Sequence, residues 1–529
     1  MKRSTASDTT SPLIARLLVA DAYPHPVGEL TCIETHISWV VLTGTYAYKI
    51  KKPVAPGFLD FSTLPLRLAA CLEELRLNQR LAPQLYVDVV PISGPIAHAR
   101  VLGTGEPIEY AVRMREFAQA DQLDRLLEAG RLGEGDIDRA ARRIARFHEE
   151  AARADIGSDY GKPPAIKHPV ENVLGTLRTL LGDATQRAAL ETLVGWMRAR
   201  FDSLEPGFTA RRRAGFVREC HGDLHLGNIA RIGEQVVPFD CIEFSAELRW
   251  IDVISDIAFL MMDLLYRDRA GLAFRLINAY LEVRGDYAGV RVLRYYLVYR
   301  ALVRSMVALL RRKQLAGQGA AAATVAGDAE AHLLLAQQLA SPSAPVLFVM
   351  HGLSGSGKTR ASGHLMERWP AIRVRSDVER KRLLGLAAGQ ATKSAIGSGA
   401  YSRDATEATY QRLLEVSAAA LEAGFSMIVD AANLQRAQRE RFCAFAAEHR
   451  VRFVIVSCVA PEEELRRRLR ERVALGTDAS EADESVLDEQ LRRAEPLDAT
   501  ELSETVIAGP GADDAEGLIA SISTHLRRT

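Results

Sequence analysis

GLSGSGKT, residues 352–359, closely follows the apolar run VLFVM at 346–350 and opens a helix at Lys358. Gly352, Gly355 and Gly357, with Ser356 among them, let the backbone turn its N–H groups inward, and the helix start adds the positive end of its dipole. This is the pattern of a Walker A phosphate loop, in which Lys358 reaches the terminal phosphates and Thr359 holds Mg2+. A Gly/Ser stretch is otherwise a flexible turn, but its place between an apolar strand and a helix favours phosphate binding.

The surrounding sequence alternates strand and helix. Strand-like runs at 371–376, 426–430 and 452–458 are separated by helical patterns, including 406–423, which stops at Gly424, and a strand–helix pair closes the chain. Apolar strands in such alternation predict a parallel sheet covered on both faces, with ligands at the carboxyl ends of its strands. Asp377, in VRSDVERKRL, stands where a carboxylate could accept a proton from an attacking hydroxyl; a plain helix N-cap is the other reading, compatible with the first. Arg380, one turn on, could hold substrate charge. Asp430, in MIVDAAN, takes the position of the acid that organises Mg2+ after a Walker-B-type strand. RRRLRER at 466–472 puts Arg468 and Arg472 on one helical face, as a lid over phosphates, a solvated face or a nucleic-acid patch.

The order GLSGSGKT, RSDVERKRL, IVDAANLQRAQRERF, RRRLRER and DASEADESV resembles the small P-loop kinases that group with zeta toxins, gluconate kinases and polynucleotide 5′-kinases. The resemblance implies that Asp377 is the base and that Arg472 stabilises transfer.

A second stretch, HGDLHLGN at 221–228, carries different chemistry. Phosphoryl transfer needs a carboxylate near the acceptor hydroxyl and metal ligands on nearby loops. Asp223 would take the proton and Asn228 would reach the metal. The short strand pair IARIGEQVVPF then delivers Asp240 as a further metal ligand, in the order and spacing of the kinase catalytic loop. Upstream, a lysine for the α/β-phosphates is expected on a strand, paired with a Glu on the next helix. YAYKIKKP offers Lys49, Lys51 and Lys52, of which Lys49 follows the strand most naturally. The helix at 66–81 offers Glu73 and Glu74, with Glu74 in better register.

HGDLHLGN with FDCIEF resembles the aminoglycoside phosphotransferase-like branch of the kinase fold, where His replaces the Arg of the protein-kinase loop. By that resemblance Asp252 and Asp256 in WIDVISDIAF are structural. The glycine-rich loop over ATP is expected at LTGTYAY, reduced to Gly44. Cys220, His221 and His225 lack a fourth ligand at zinc spacing, and His148 in IARFHEEA reads as a packed core histidine.

The 529 residues suggest at least two domains, and 67 basic against 67 acidic side chains give no global field for nucleic acid or membrane. Aromatic residues are only 6%, with no aromatic-interleaved basic strand, which weakens RNA or single-strand binding. Six cysteines without a CxxC fit reduced thiols. The polar start lacks an apolar h-region, and WIDVISDIAFLMMDLL holds three Asp, so no secretion or membrane span is expected and the location is expected to be cytoplasmic.

The expected fold class is α/β multidomain: an N-terminal protein-kinase-like fold over 1–342, β-rich then helical, and a C-terminal P-loop NTPase fold with a parallel sheet over 343–529. The whole chain resembles bacterial proteins described as bifunctional aminoglycoside phosphotransferase/ATP-binding proteins. The resemblance implies two ATP- and Mg2+-dependent sites acting on small-molecule hydroxyl acceptors, with no protein partner inferable. The alternative is an N-terminal pseudokinase that senses a ligand and regulates a C-terminal kinase or ATPase.

Overall fold

The computed structural model describes residues 11–55, 59–315, 319–387, 390, 402–475, 480–509 and 515–528. Its contacts divide the chain into two compact units, one of residues up to Ala165 with Arg211–Leu260, the other of Ile166–Ala210 with Met261 onward.

In the first unit, strands β1 (Thr31–Glu34), β2 (Ser38–Leu42), β3 (Tyr46–Lys51), β4 (Tyr86–Ser93), β5 (Arg100–Val101) and β6 (Pro107–Arg115) form one antiparallel sheet. The spatial order is β1-β2-β3-β6-β4-β5. The apolar run 31–42 is a hairpin broken at 35–37. β3 is buried along nearly its whole length. Tyr48 and Ile50 pack with Val41, Val90 and Ala111 on one face. The alternate residues, Lys49 and Lys51, point to the other face, as the two-residue period of a strand requires. That face meets the helix Leu64–Gln79, which starts with a proline and buries Cys71, Glu74, Leu77 and Asn78.

Beyond the sheet, the helix Glu134–Glu150 buries Ile137, Ala141, Ile144 and His148 at helical spacing. Two small ladders frame HGDLHLGN: β7 (Val217–Glu219) pairs with β10 (Trp250–Asp252), and β8 (Ile229–Ile232) pairs with β9 (Gln235–Pro238).

In the second unit, β11 (Val346–His351), β12 (Ala371–Arg375), β13 (Ser426–Asp430), β14 (Arg452–Cys458) and β15 (Thr505–Ala508) make a parallel sheet in the order β12-β13-β11-β14-β15. β11 and β13 are buried almost throughout, as central strands covered on both faces must be. The carboxyl ends of β11, β12 and β13 lie at one end of the parallel sheet and lead, in that order, into GLSGSGKT, Asp377 and Asp430.

The expected boundary at 342 falls between the helix Gly319–Ala340 and β11. The compact units divide elsewhere. Helices Ala270–Arg284, Val290–Gln314 and Gly319–Ala340 belong to the same unit as the parallel sheet.

Candidate functional site

In the first unit the side chains converge on Lys49. Its ammonium lies 2.8 Å from Glu74 Oε1 and also pairs with the Asp240 carboxylate, so β3, the Leu64–Gln79 helix and the loop after β9 meet at one nitrogen. Lys51, wholly buried, pairs with Glu74 Oε2 and with Glu243. Two ammonium groups therefore face three carboxylates. Burial would lower Lys49, but Asp240, Glu74 and Glu243 outweigh it and hold it well above its ordinary range. Burial pushes Glu243 up, and the nearby Glu74 carboxylate adds to the effect against Lys51. Sequence reasoning missed Glu243 and left Lys51 as an alternative to Lys49; the signal was the Glu three residues after Asp240.

Asp240 adopts φ +66°, a left-handed conformation that Asp tolerates better than most residues. Its N–H donates to Tyr86 Oη at 3.2 Å, and the next N–H, of Cys241, donates to Asn78 Oδ1 at 2.9 Å. Asn78 Nδ2 in turn donates to the Glu74 carbonyl. The helix that carries Glu74 thus also anchors the loop that carries Asp240.

HGDLHLGN is held from beneath by Asp256, whose two oxygens accept the N–H groups of His221 (3.0 Å) and Gly222 (2.8 Å). His148 Nε2 lies 3.1 Å from the same carboxylate. Gly222 sits at φ +87°, and a Cβ there would come within 2.9 Å of the Leu248 carbonyl. Asn228 Nδ2 donates to both the Asp223 carbonyl and its Oδ2 at 3.0 Å, and His225 Nε2 lies 3.5 Å from Oδ2. Asp223 and Asn228 are brought together as the spacing suggests. Cys220 groups with His148 and Asp256 rather than with His221 and His225. Both oxygens of that Asp are occupied by backbone N–H groups, which makes the group a hydrogen-bonded support.

LTGTYAY spans the β2–β3 turn, and the N–H groups of Thr43 and Gly44 donate to Glu116 at 2.9 and 2.7 Å. The turn one hairpin earlier, at 35–37 between β1 and β2, contains no glycine and is closed by Thr35 with Ser38.

In the second unit, GLSGSGKT connects β11 to the helix Lys358–Arg368. Gly352 has φ +141°, and a Cβ on it would meet the Cys458 carbonyl at 2.4 Å and Ser356 Oγ at 2.8 Å. Lys358 Nζ donates to the Leu353 carbonyl at 2.7 Å. Burial lowers its pKa, and the charges acting on it include Asp430, Asp377 and Arg472, three of the expected residues. Among the described residues, Ser356 Oγ is one of the buried side-chain atoms without a hydrogen-bond partner.

Asp430 accepts from Ser362 Oγ at 2.9 Å, three residues after the exposed Thr359. Asp377 is the second residue of the helix Ser376–Leu383, whose cap is Arg375, so the capping alternative does not describe it. Arg380, on that helix, donates to Thr406 Oγ1 at 3.2 Å. Arg472 donates to the Ala482 carbonyl at 2.6 Å. Arg468 lies nearer the loop, donating to the Gly355 carbonyl at 3.3 Å. Gln490, without any sequence signal, accepts from Ser354 N at 2.7 Å. In the motif DASEADESV, residues 478–479 lie outside the described residues.

Residues 347–497 match the AAA domain family. An uncharacterized protein of Mycobacterium tuberculosis is 33% identical over 414 residues, 77% of this chain and 79% of that protein. One of Mycobacterium bovis matches to the same extent. This chain belongs to the family of these mycobacterial proteins.

Among solved structures, a choline/ethanolamine kinase family protein from Mesorhizobium loti is similar at 14% identity, covering 61% of this chain and 98% of that one with a TM-score of 0.37. A sugar kinase from Janibacter sp. covers 35% of this chain and 95% of its own at 20% identity and a TM-score of 0.27. Among the described residues, no helix is long and apolar enough to cross a membrane.

Proposed function

We propose that the chain is an ATP-dependent phosphotransferase with two nucleotide sites, each transferring the γ-phosphate to a hydroxyl of a small molecule. The observation that carries this is the pairing of Lys49 with both Glu74 and Asp240 in one unit, matched in the other by Lys358 among Asp377, Asp430 and Arg472.

Both sites fit a nucleotide and a hard cation. The unpartnered Ser356 hydroxyl and the space that a Cβ at Gly352 would fill suit a phosphate. Asn228, Asp240, Asp430 and Thr359 offer only oxygen donors once the Asn228 amide nitrogen is committed to Asp223. Mg2+, when bound, would neutralise charge on the phosphates.

The chain's own residues do the rest. Lys49 and Lys358 hold phosphate oxygens, while Glu74 keeps Lys49 oriented. Asp223, steadied by Asn228 and His225, takes the proton of one acceptor hydroxyl, and Asp377 takes that of the other. Arg380 holds the acceptor's charge. Arg472, with Arg468 beside the loop, offsets charge on the group in transfer. The balanced net charge suits small acceptors better than nucleic acid, and the site of action is proposed to be the cytoplasm.

One observation favours a second reading for the first unit: the turn at 35–37 offers no glycine backbone to cover phosphates. The unit would then sense a ligand rather than transfer phosphate. Equilibrium dialysis with labelled ATP tests the primary reading. Two nucleotides per chain should fall to one in Lys49→Met and to one in Lys358→Ala. A single site lost only with Lys358→Ala would favour the sensor.

A further inference from the structure

β12 is an edge strand, and the edge of a sheet leaves backbone N–H and C=O groups that must find partners. Here the partner is a side chain. Asn278, buried on the helix Ala270–Arg284, donates its amide N–H to the Ala371 carbonyl at 2.9 Å and accepts the Arg373 N–H at 2.6 Å. One amide thus does for β12 what a neighbouring strand would do.

One turn further along the same helix, Glu282 lies 3.2 Å from Arg375 and 3.5 Å from Arg373, and its backbone carbonyl accepts from Arg382 at 2.6 Å. Arg382 lies on the helix that begins at Ser376, immediately after β12, and also bonds Glu379 at 2.9 Å. Gly285, which ends the Asn278 helix, accepts from Arg412 through its carbonyl, and a Cβ on it would meet Arg382 at 2.6 Å. The strand and the helix that carry Asp377 and Arg380 are therefore gripped in sequence by Asn278, Glu282 and the helix end at Gly285. β11, which leads into GLSGSGKT, is separated from this contact by β13.

We propose that Asn278 and Glu282 are positioning residues of the P-loop site: the Ala270–Arg284 helix, although it precedes the phosphate loop by some seventy positions in the chain, sets where Asp377 and Arg380 stand relative to the nucleotide. It rests on the reading of Asp377 as the acceptor-side base. The consequence is asymmetric. Loosening Asn278 and Glu282 should disturb the acceptor half of the site more than the phosphate-holding half, because these two side chains reach β12 and its following helix, while the same helix holds Lys358–Arg368 separately through Arg275 and Glu367.

The test uses the full chain with Asn278→Leu, which fills the same space without either hydrogen bond, and the milder Glu282→Gln. Hydrogen exchange is followed for 371–383 and for 346–365, alongside nucleotide binding and acceptor kinetics. Exchange in 371–383 should rise about tenfold or more in Asn278→Leu, with 346–365 and nucleotide affinity within about twofold of wild type, because only local opening becomes easier. The acceptor KM should rise about tenfold, and less in Glu282→Gln.

Unchanged exchange in 371–383 in both variants would overturn the proposal. So would equal loosening of 346–365 with loss of nucleotide binding, which would make the helix a general support. If exchange responds as expected but wild type yields no phosphorylated product, the positioning contact stands and the transfer reading fails.

Discussion

Lys49 Nζ lies 2.8 Å from Glu74 Oε1 and pairs at the same time with Asp240, which follows the HGDLHLGN loop. A buried ammonium shared by two carboxylates from separate elements ties a strand, a helix and a loop into one site. Removing one partner of such a pair leaves uncompensated charge and costs about 3–5 kcal/mol. Lys49→Met should therefore lower thermal stability as well as abolish nucleotide binding at this site, and calorimetry with and without ATP would show both. A variant as stable as wild type would contradict the geometry.

Glu243 and Lys51 form the second pair, and burial holds Glu243 above the usual carboxylate range. A carboxyl raised on folding binds its proton more tightly folded than unfolded. The proton-linked term therefore favours folding at low pH and weakens as pH rises through the folded value. Glu243→Gln should flatten that slope in a series of unfolding curves from acid to neutral pH. An unchanged slope would mean that Glu243 does not titrate differently on folding.

Lys358 titrates below a solvent lysine. Burial lowers its pKa below the ordinary 10.5, so in alkaline solution the empty site loses its charge early. Phosphates restore that charge. Nucleotide binding should then take up a proton between the lowered value and 10.5, and affinity should fall as pH rises there. Titration calorimetry in buffers of different ionisation enthalpy measures the uptake, which Lys358→Met should remove.

Gly352 is a steric prediction. With φ +141° and a Cβ that would lie 2.4 Å from the Cys458 carbonyl, Gly352→Ala must shift the loop or β14. Nucleotide affinity at the second site should fall at least about tenfold, with the first site unaffected, since the two do not share residues. Binding by Gly352→Ala, read at the second site in a Lys49→Met background and at the first site in a Lys358→Ala background, would check it.

Much of both sites was legible because their chemistry is local. HGDLHLGN places Asp223 and Asn228 within one loop, and GLSGSGKT contains its own geometry between strand and helix. Lys49 and Glu74 could be assigned since strand and helix periods point them toward one interface. Glu243 was missed although it stands three residues after Asp240, because its partner Lys51 is distant in sequence and both resemble ordinary surface charges.

The turn at 35–37 was illegible for a different reason. It has no Gly, Pro, Asn or Asp to break the apolar run, so 31–42 gives no sign of a hairpin. Asn278 was invisible as well: a lone amide on a helix gives no sign that it completes the edge of a sheet.

The central claim is that two separable transfer sites share this chain. Its most direct test is label transfer from γ-labelled ATP into a bacterial metabolite extract, comparing wild type, Asp223→Asn and Asp377→Asn. Loss of a general base should cost about 10²–10⁴ in rate. Each variant should remove a different labelled product and leave the other intact. If Asp223→Asn changes no product, the first unit does not transfer phosphate and the two-site account is wrong.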